Sequence, residues 1–193
     1  HDFVHSLAFS RNGLLASGGY RTVKLWERST IPVTRLAHTL PENATALATS
    51  PNGEWLAAGD GKGNVILQNL ATPEKSPAAK LHSATVRAMV FSPDGKFLFS
   101  VSDDKTVVRA AFPDPKDSPA VTLPSEALSL ALLENGQKVA VGCADGIIRI
   151  IPISFFDLPQ AERGTAPPPT EFKGHTAKVV ALQIGRDSCR ARV

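Results

Sequence analysis

Apolar residues along this chain fall into short runs separated by turns that end in glycine, and the same arrangement recurs four times. The first copy reads Val4-His5-Ser6-Leu7-Ala8-Phe9, a turn through Ser10 to Gly13, Leu14-Leu15-Ala16-Ser17-Gly18-Gly19, and then Thr22-Val23-Lys24-Leu25-Trp26. In the second, Ala46-Leu47-Ala48-Thr49 leads through Ser50-Pro51-Asn52-Gly53 to Trp55-Leu56-Ala57-Ala58-Gly59 and Asn64-Val65-Ile66-Leu67. The third has Ser92-Pro93-Asp94-Gly95 between 86–91 and Phe97-Leu98-Phe99-Ser100-Val101-Ser102, followed by Thr106-Val107-Val108. The fourth turns at Glu134-Asn135-Gly136 between 128–133 and Val139-Ala140-Val141-Gly142, then continues to Ile147-Ile148-Arg149-Ile150.

Asn-Gly and Asp-Gly supply the positive backbone dihedrals of a tight hairpin, so each copy predicts three antiparallel strands in series. The runs are apolar on both faces, as expected of strands sandwiched between neighbouring sheets. No window carries a helical stripe as well as it carries this strand pattern. Gly13, Gly53, Gly95 and Gly136 are 40, 42 and 41 residues apart, a regularity that marks an internal repeat. A fifth copy starts at Gly174-His175 with Val179-Val180-Ala181-Leu182 and fails at Asp187-Ser188, where the next turn glycine is expected.

Composition narrows the function classes. The 193 residues carry a formal net charge of +3, and Arg186, Arg190 and Arg192 in the atypical last segment account for all of it. That balance is too scattered for the clustered basic face that nucleic acid requires. No run approaches the length of a membrane span, and no signal-type leader is evident. Cys143 and Cys189 make neither a disulfide framework nor a metal pair, so they leave the compartment open. The chain starts at His1 and is expected to be a piece of something longer.

The Ser-Pro-Asp/Asn-Gly turns, the Leu-Ala-Ser-Gly strand at 15–18, Thr22-Val23-Lys24-Leu25-Trp26 and Gly174-His175 together resemble the WD-repeat (WD40) family of β-propellers. The resemblance implies an all-β fold: a propeller fragment of about four four-stranded blades plus the start of a fifth. The blades are expected near 1–40, 41–82, 83–125 and 126–174, the fifth starting at 175–193, with a Pro-rich loop insertion at 154–170. A fourth, outer strand is implied near 33–36, 79–81, 120–123 and 171–173. Seven blades would need about 290 residues, so further blades are expected beyond one or both ends, and the isolated piece is expected to aggregate or dimerise through its end blades.

The family often locks a blade with a buried set of Trp, Ser/Thr, His and Asp, and here each copy keeps only part of it. The first has Trp26 and Ser17 but lacks the Asp; the second has His38, with Lys62 at the Asp position and Gln68 at the Trp position. His82, Ser100 and Asp104 match in the third, where Ala110 replaces Trp, while the fourth keeps Asp145 but has Ile151 and Val141. Apolar packing between blades is therefore expected to supply most of the stability.

Candidate chemistry is thin. His38, His82 and His175 recur at equivalent positions and lack zinc spacing, so they are read as structural or surface residues. Asp60, Asp103 with its neighbour Asp104, and Asp145 lie one turn per blade around the rim, too far apart for paired acid–base work, and Asp104 and Asp145 are expected to cap their own turns. Gly59-Asp60-Gly61-Lys62-Gly63 lacks the phosphate-loop spacing and predicts a plain hairpin. Phe155, Phe156 and Leu158 are read either as covering the blade edge or as a docking point for a partner, with the first preferred. No catalytic constellation, cofactor site or metal site is evident.

What remains is a binding scaffold for a protein partner. The resemblance places a partner face on the loops at 20–22, 40–44, 61–64, 83–85, 103–105, 125–126, 144–146 and 176–178, and within or beside them Tyr20, Arg21, Arg87, Asp103, Lys105 and Lys178 are the expected contacts. The alternative is an accessory propeller of a larger bacterial enzyme or c-type cytochrome protein. It rests on the likeness of 20–26 to planctomycete-like propellers and would make the protein exported. No Cys-x-x-Cys-His heme motif occurs in this sequence.

Overall fold

The computed structural model describes residues 4, 6–9, 15–19, 22–26, 34–39 (backbone only), 43–70, 77–115, 118–159 and 169–182. Strands β1 (Ser6–Phe9), β2 (Leu15–Gly19), β3 (Thr22–Trp26) and β4 (Thr34–Thr39) form the first antiparallel sheet in that order. The second holds β5 (Ala44–Thr49), β6 (Trp55–Asp60), β7 (Asn64–Asn69) and β8 (Ala78–Lys80). β9 (Val86–Phe91), β10 (Phe97–Ser102), β11 (Thr106–Ala111) and β12 (Ala120–Thr122) make the third, and β13 (Ala127–Leu133), β14 (Lys138–Cys143), β15 (Ile148–Pro152) and β16 (Thr170–Phe172) the fourth. Each expected outer strand is present, with bounds within three residues of those expected. The first strands β1, β5, β9 and β13 pack on one another in succession, which makes each sheet a propeller blade.

The hairpin chemistry is the predicted one. Ser50 Oγ donates to Asn52 Oδ1 at 2.6 Å and accepts the Trp55 amide at 3.0 Å, closing the turn at Gly53, whose φ is 72°. Ser92, Asp94 and Phe97 repeat the pattern around Gly95. Gly59-Asp60-Gly61-Lys62-Gly63 is indeed a strand–turn–strand hairpin.

Three apolar clusters lie between successive blades. Ala16, Val23 and Leu25 meet Leu47, Leu56 and Ala58 between the first and second. Ala57, Val65 and Leu67 meet Met89, Phe91 and Leu98 between the second and third, and Phe99, Val101 and Val107 meet Val139, Val141 and Ile151 between the third and fourth. Phe112 adds edge-on contacts to Trp55 at 5.0 Å and Phe91 at 5.1 Å. Close approach explains two glycines: a Cβ at Gly59 would stand 2.7 Å from Val86 Cγ1, and one at Gly142 would stand 2.6 Å from Val179 Cγ1. Val179 thus takes the place at the end of the array that Val86 takes inside it. Its amide donates to Cys143 O at 3.1 Å and its carbonyl accepts from Ser129 Oγ at 2.9 Å. The start of the fifth copy is therefore docked on blade four, although 173–182 joins no sheet.

Each blade satisfies its lock position differently. In blade three the buried His82 ring spans from Ser100 Oγ, 2.8 Å from Nε2, to Asp104 Oδ2, 3.1 Å from Nδ1. Asp104 is an acceptor in this set, so the network assigns the proton to Nδ1 and leaves Nε2 to accept from the Ser100 hydroxyl. Asp104 also caps its turn, accepting from the Thr106 hydroxyl at 2.6 Å and from the Ser83 amide at 2.8 Å. Burial lowers the His82 pKa against the pull of Asp104. Burial pushes Asp104 up, but its hydrogen bonds from Thr106 and Ser83 and the nearby His82 hold it below the usual carboxylate value.

In blade one Trp26 Nε1 donates to Ser17 Oγ at 2.9 Å. Blade two replaces the missing turn carboxylate with Asp60, which accepts the amides of Lys62 and Asn64 at 2.8 and 2.9 Å from the end of β6. The His38 side chain lies outside the described residues. In blade four Asp145 caps Ile147 as expected, and its second partner is Arg149, buried in β15. The Arg149 guanidinium makes a two-pronged pair with Asp145 at 3.1 and 2.8 Å and donates through Nε to Glu171 at 3.1 Å. An arginine on the strand itself therefore partners the turn carboxylate where blade three uses a histidine from the preceding connection.

The Pro-rich insertion begins with a 3-10 turn, Ile153–Asp157, that reaches back over blade three. Phe156 is buried edge-on against Phe99 at 5.8 Å, and Arg109 of β11 stacks 4.7 Å from the Phe97 ring while donating to Asp157 at 2.6 Å. Phe155 is buried and Leu158 half-buried, both packed in the cluster between blades three and four, so these residues cover the blade edge.

Two outcomes follow. Neutral His82 contributes stability fully above pH about 6.5, and that contribution declines as pH falls from there through its lowered folded-state pKa, because the unfolded chain takes up the proton first. Chemical denaturation across this window should show the decline in the wild type and a flatter profile in His82→Ala. Phe156→Ala should destabilise by about 3 kcal/mol in urea melts, whereas Asp157→Ala, which removes an exposed partner, should change stability by less than about 1 kcal/mol.

Candidate interaction face

The turns joining the second and third strands and the connections between blades share one face. Leu81 and His82 donate their amides to Gly63 O, Leu123 donates to Lys105 O, and the Asp103 and Ala144 amides donate to Thr85 O and Glu126 O. Each connection is thus stitched to a neighbouring hairpin, giving a surface of backbone-fixed turns. His175 continues this register: its carbonyl presses on Gly146 as that of His82 presses on Gly63.

Of the six expected contacts, the structure brings three together. Arg87 on β9 makes a two-pronged pair with Asp103, Nε to Oδ1 at 2.7 Å and Nη2 to Oδ2 at 2.6 Å. The hydrogen bond to Asp103 raises the Arg87 pKa, with Glu126 of the next connection adding to it, so this guanidinium is held charged and oriented. Arg87 keeps 47% of its side chain exposed within that pair. Lys105 lies two residues along the same turn and is exposed to solvent. Lys178 is exposed on the far side of the fourth blade, beside the Gly146 turn, and is not part of this group. Tyr20 and Arg21 lie outside the described residues.

Lys105 has a φ of 67°, in the left-handed region. The same turn position is Gly63 in blade two and Gly146 in blade four, with φ of 87° and 80°. Only glycine adopts this conformation at no steric cost, and a side chain there costs roughly 1 kcal/mol or more. At Gly63 and Gly146 a Cβ would also collide with the carbonyls of His82 and His175, so close approach as well as φ calls for glycine there, whereas Lys105 holds the same conformation with a side chain.

Two features of this face escaped sequence reasoning. Loop 125–126 was expected on this face, but the approach of Glu126 to Arg87 is revealed only by the packing of the connection against the turn. Arg149 holds Asp145; a charged residue inside the apolar run Ile148-Arg149-Ile150 was its available signal. Burial raises the Cys143 thiol pKa, while the Arg149 contact opposes this, so Cys143 is a buried neutral neighbour of the pair. Among the described residues no group of three or more His, Cys, Asp or Glu is arranged to hold a metal ion, and no helix is long and apolar enough to cross a membrane.

The family model for the WD domain, G-beta repeat, matches residues 1–27, 31–67 and 76–108, together half of the chain. No curated protein matches the sequence. Among solved structures, a chain of the crystal structure of the mitotic checkpoint complex is similar over 94% of this protein with a TM-score of 0.78 at 19% identity. This protein spans 54% of that chain, about half its length. The repeat spacing, the four stacked four-stranded blades and the three family matches agree, and the chain belongs to the WD40 family of β-propellers.

Proposed function

We propose that this protein is a non-catalytic scaffold that binds a protein partner on the face built by the hairpin turns and blade connections. The contact centre is Arg87, Asp103 and Lys105 of blade three, with Lys178 to one side and Tyr20 and Arg21 expected on the same face of blade one. Lys105 carries this reading: a lysine is kept at a left-handed turn position where two sister blades use glycine. A non-glycine residue in the left-handed region is uncommon, and such backbone strain clusters at functional sites. Beside it stands an arginine fixed by a carboxylate and still half exposed, the kind of preorganised side chain that anchors interfaces. The propeller supplies rigidity, so little ordering is needed on association.

Lys105→Gly should raise stability by up to about 1 kcal/mol in urea melts, because the strain is relieved. The same change should weaken partner capture, measured by quantitative affinity purification from the source cells with wild type and variant as paired baits. Arg87→Ala should lower capture of the same partner by about tenfold or more. Capture unchanged by both substitutions would remove this face from the account.

A further inference from the structure

The two ends of the blades differ in the charge they present to solvent. The turns joining first and second strands share the end opposite the interaction face with the connections from third to outer strands, since Leu70, Phe112 and Ile153 donate their amides to the carbonyls of Glu54, Lys96 and Gln137. Among the described residues of that end, Glu54, Asp94, Asp114, Glu134 and Asp157 are exposed, and the lysines Lys96 and Lys138 lie beside Asp94 and Glu134. On the interaction face it is Lys62, Lys80, Lys105, Lys173 and Lys178 that are exposed. The carboxylates of this face are turned onto the chain itself. Asp60 is buried on the amides of Lys62 and Asn64, and Asp104 is held by Thr106, Ser83 and His82. Asp145 and Glu171 both bind the buried Arg149, Asp103 keeps only 21% of its side chain exposed in its pair with Arg87, and Glu126 is half-buried beside the same guanidinium. The face thus satisfies its own anions and leaves its lysine head groups at the surface. Turns of the two ends alternate along the chain, so the near-neutral balance of the sequence conceals this sorting.

A second observation concerns the backbone under Arg87. β9 pairs Ala88 with Val101 and Val86 with Ser102, and the register shift between them leaves Arg87 outside the ladder. A bulge of this kind re-aims a side chain. Blades two and four carry the same shift at Thr45 and Leu128. Thr45 turns to the next blade, donating to Val86 O at 2.7 Å, and Leu128 is half-buried, so of the three bulges only that of blade three presents a charge. Asp103 takes Nε and Nη2 of Arg87, which leaves Nη1 to donate to an acceptor from outside.

We propose that the partner presents an acidic peptide segment to this face, with one carboxylate accepting from Arg87 and a neighbouring one from Lys105. The inference rests on the partner face argued above and adds the chemistry of what binds there. A short acidic segment seats its carboxylates on Arg87 and Lys105 and bends away from Asp103 and Glu126, whereas the continuous charge of a nucleic-acid backbone would meet both anions.

Selection of a phage-displayed random-peptide library on the full chain reads the composition of the ligand, and fluorescence anisotropy of the enriched peptides reads their dependence on the face. Asp and Glu should be enriched above the library's own frequency. At low salt Arg87→Ala, and separately Lys62→Glu with Lys105→Glu, should each weaken binding of these peptides by about tenfold, a loss that shrinks as salt is raised. Lys96→Glu, the same kind of charge reversal at the opposite end of the blades, should leave their affinity as in the wild type. Circular dichroism melts check that each variant keeps its fold. Enriched peptides with no acidic excess that still lose affinity in Arg87→Ala would overturn this inference and leave the partner face standing. Acidic peptides that bind Arg87→Ala and the double variant as tightly as the wild type would overturn both. Absence of any enrichment, an equal loss in Lys96→Glu, or tighter binding of a labelled single-stranded oligonucleotide than of the peptides would also overturn it.

Discussion

The contact between the apolar faces of successive blades is the interaction on which the rest of this structure depends. Each sheet is apolar on both sides, so a blade on its own leaves buried-type residues in water, and only stacking removes them. The cluster made by Phe99, Val101 and Val107 with Val139, Val141 and Ile151 shows the consequence. Its strands contribute side chains to both neighbours, and most polar groups lie at turns and lock positions. Apolar burial is non-directional, which is why four different lock chemistries are tolerated in four blades of otherwise common geometry.

Those locks are local solutions to a shared problem: how to satisfy the polar groups where a hairpin turn meets the connection from the preceding blade. Blade three uses His82 with Asp104 and Ser100, blade four uses Arg149 with Asp145 and Glu171, and blade two uses Asp60 on its own turn amides. The rigid turns that result are also the surface on which Arg87, Asp103 and Lys105 are presented. The function proposed for this face thus rests on the same hydrogen bonds that close the blades.

The fold was legible in the sequence because its determinants are short-range. Asn-Gly and Asp-Gly turns at near-constant spacing, with two-sided apolar strands between them, leave little choice of architecture. The outer strands were placed within about three residues by the resemblance to the family, since their own sequences carry no turn signal of the same regularity. The partial locks of blades one and three were also readable, since Trp26, Ser17, His82, Ser100 and Asp104 stand at matching positions. Arg149 was not, because its role depends on a carboxylate four residues away and another across the sheet. Nor was the meaning of Lys105: a lysine in a turn is unremarkable until its φ is set beside those of Gly63 and Gly146. Phe155 and Phe156 were ambiguous for the same reason, since only the packing on Phe99 separates a blade cover from an exposed anchor.

Residue-resolved native-state hydrogen exchange tests most directly the claim that stability resides in packing between blades. The account predicts the strongest protection in β5 to β7 and β9 to β11, which have a blade on each side, and the weakest in β1 to β3, where one face is uncovered. Equal protection across all four blades, or protection greatest in blade one, would contradict it.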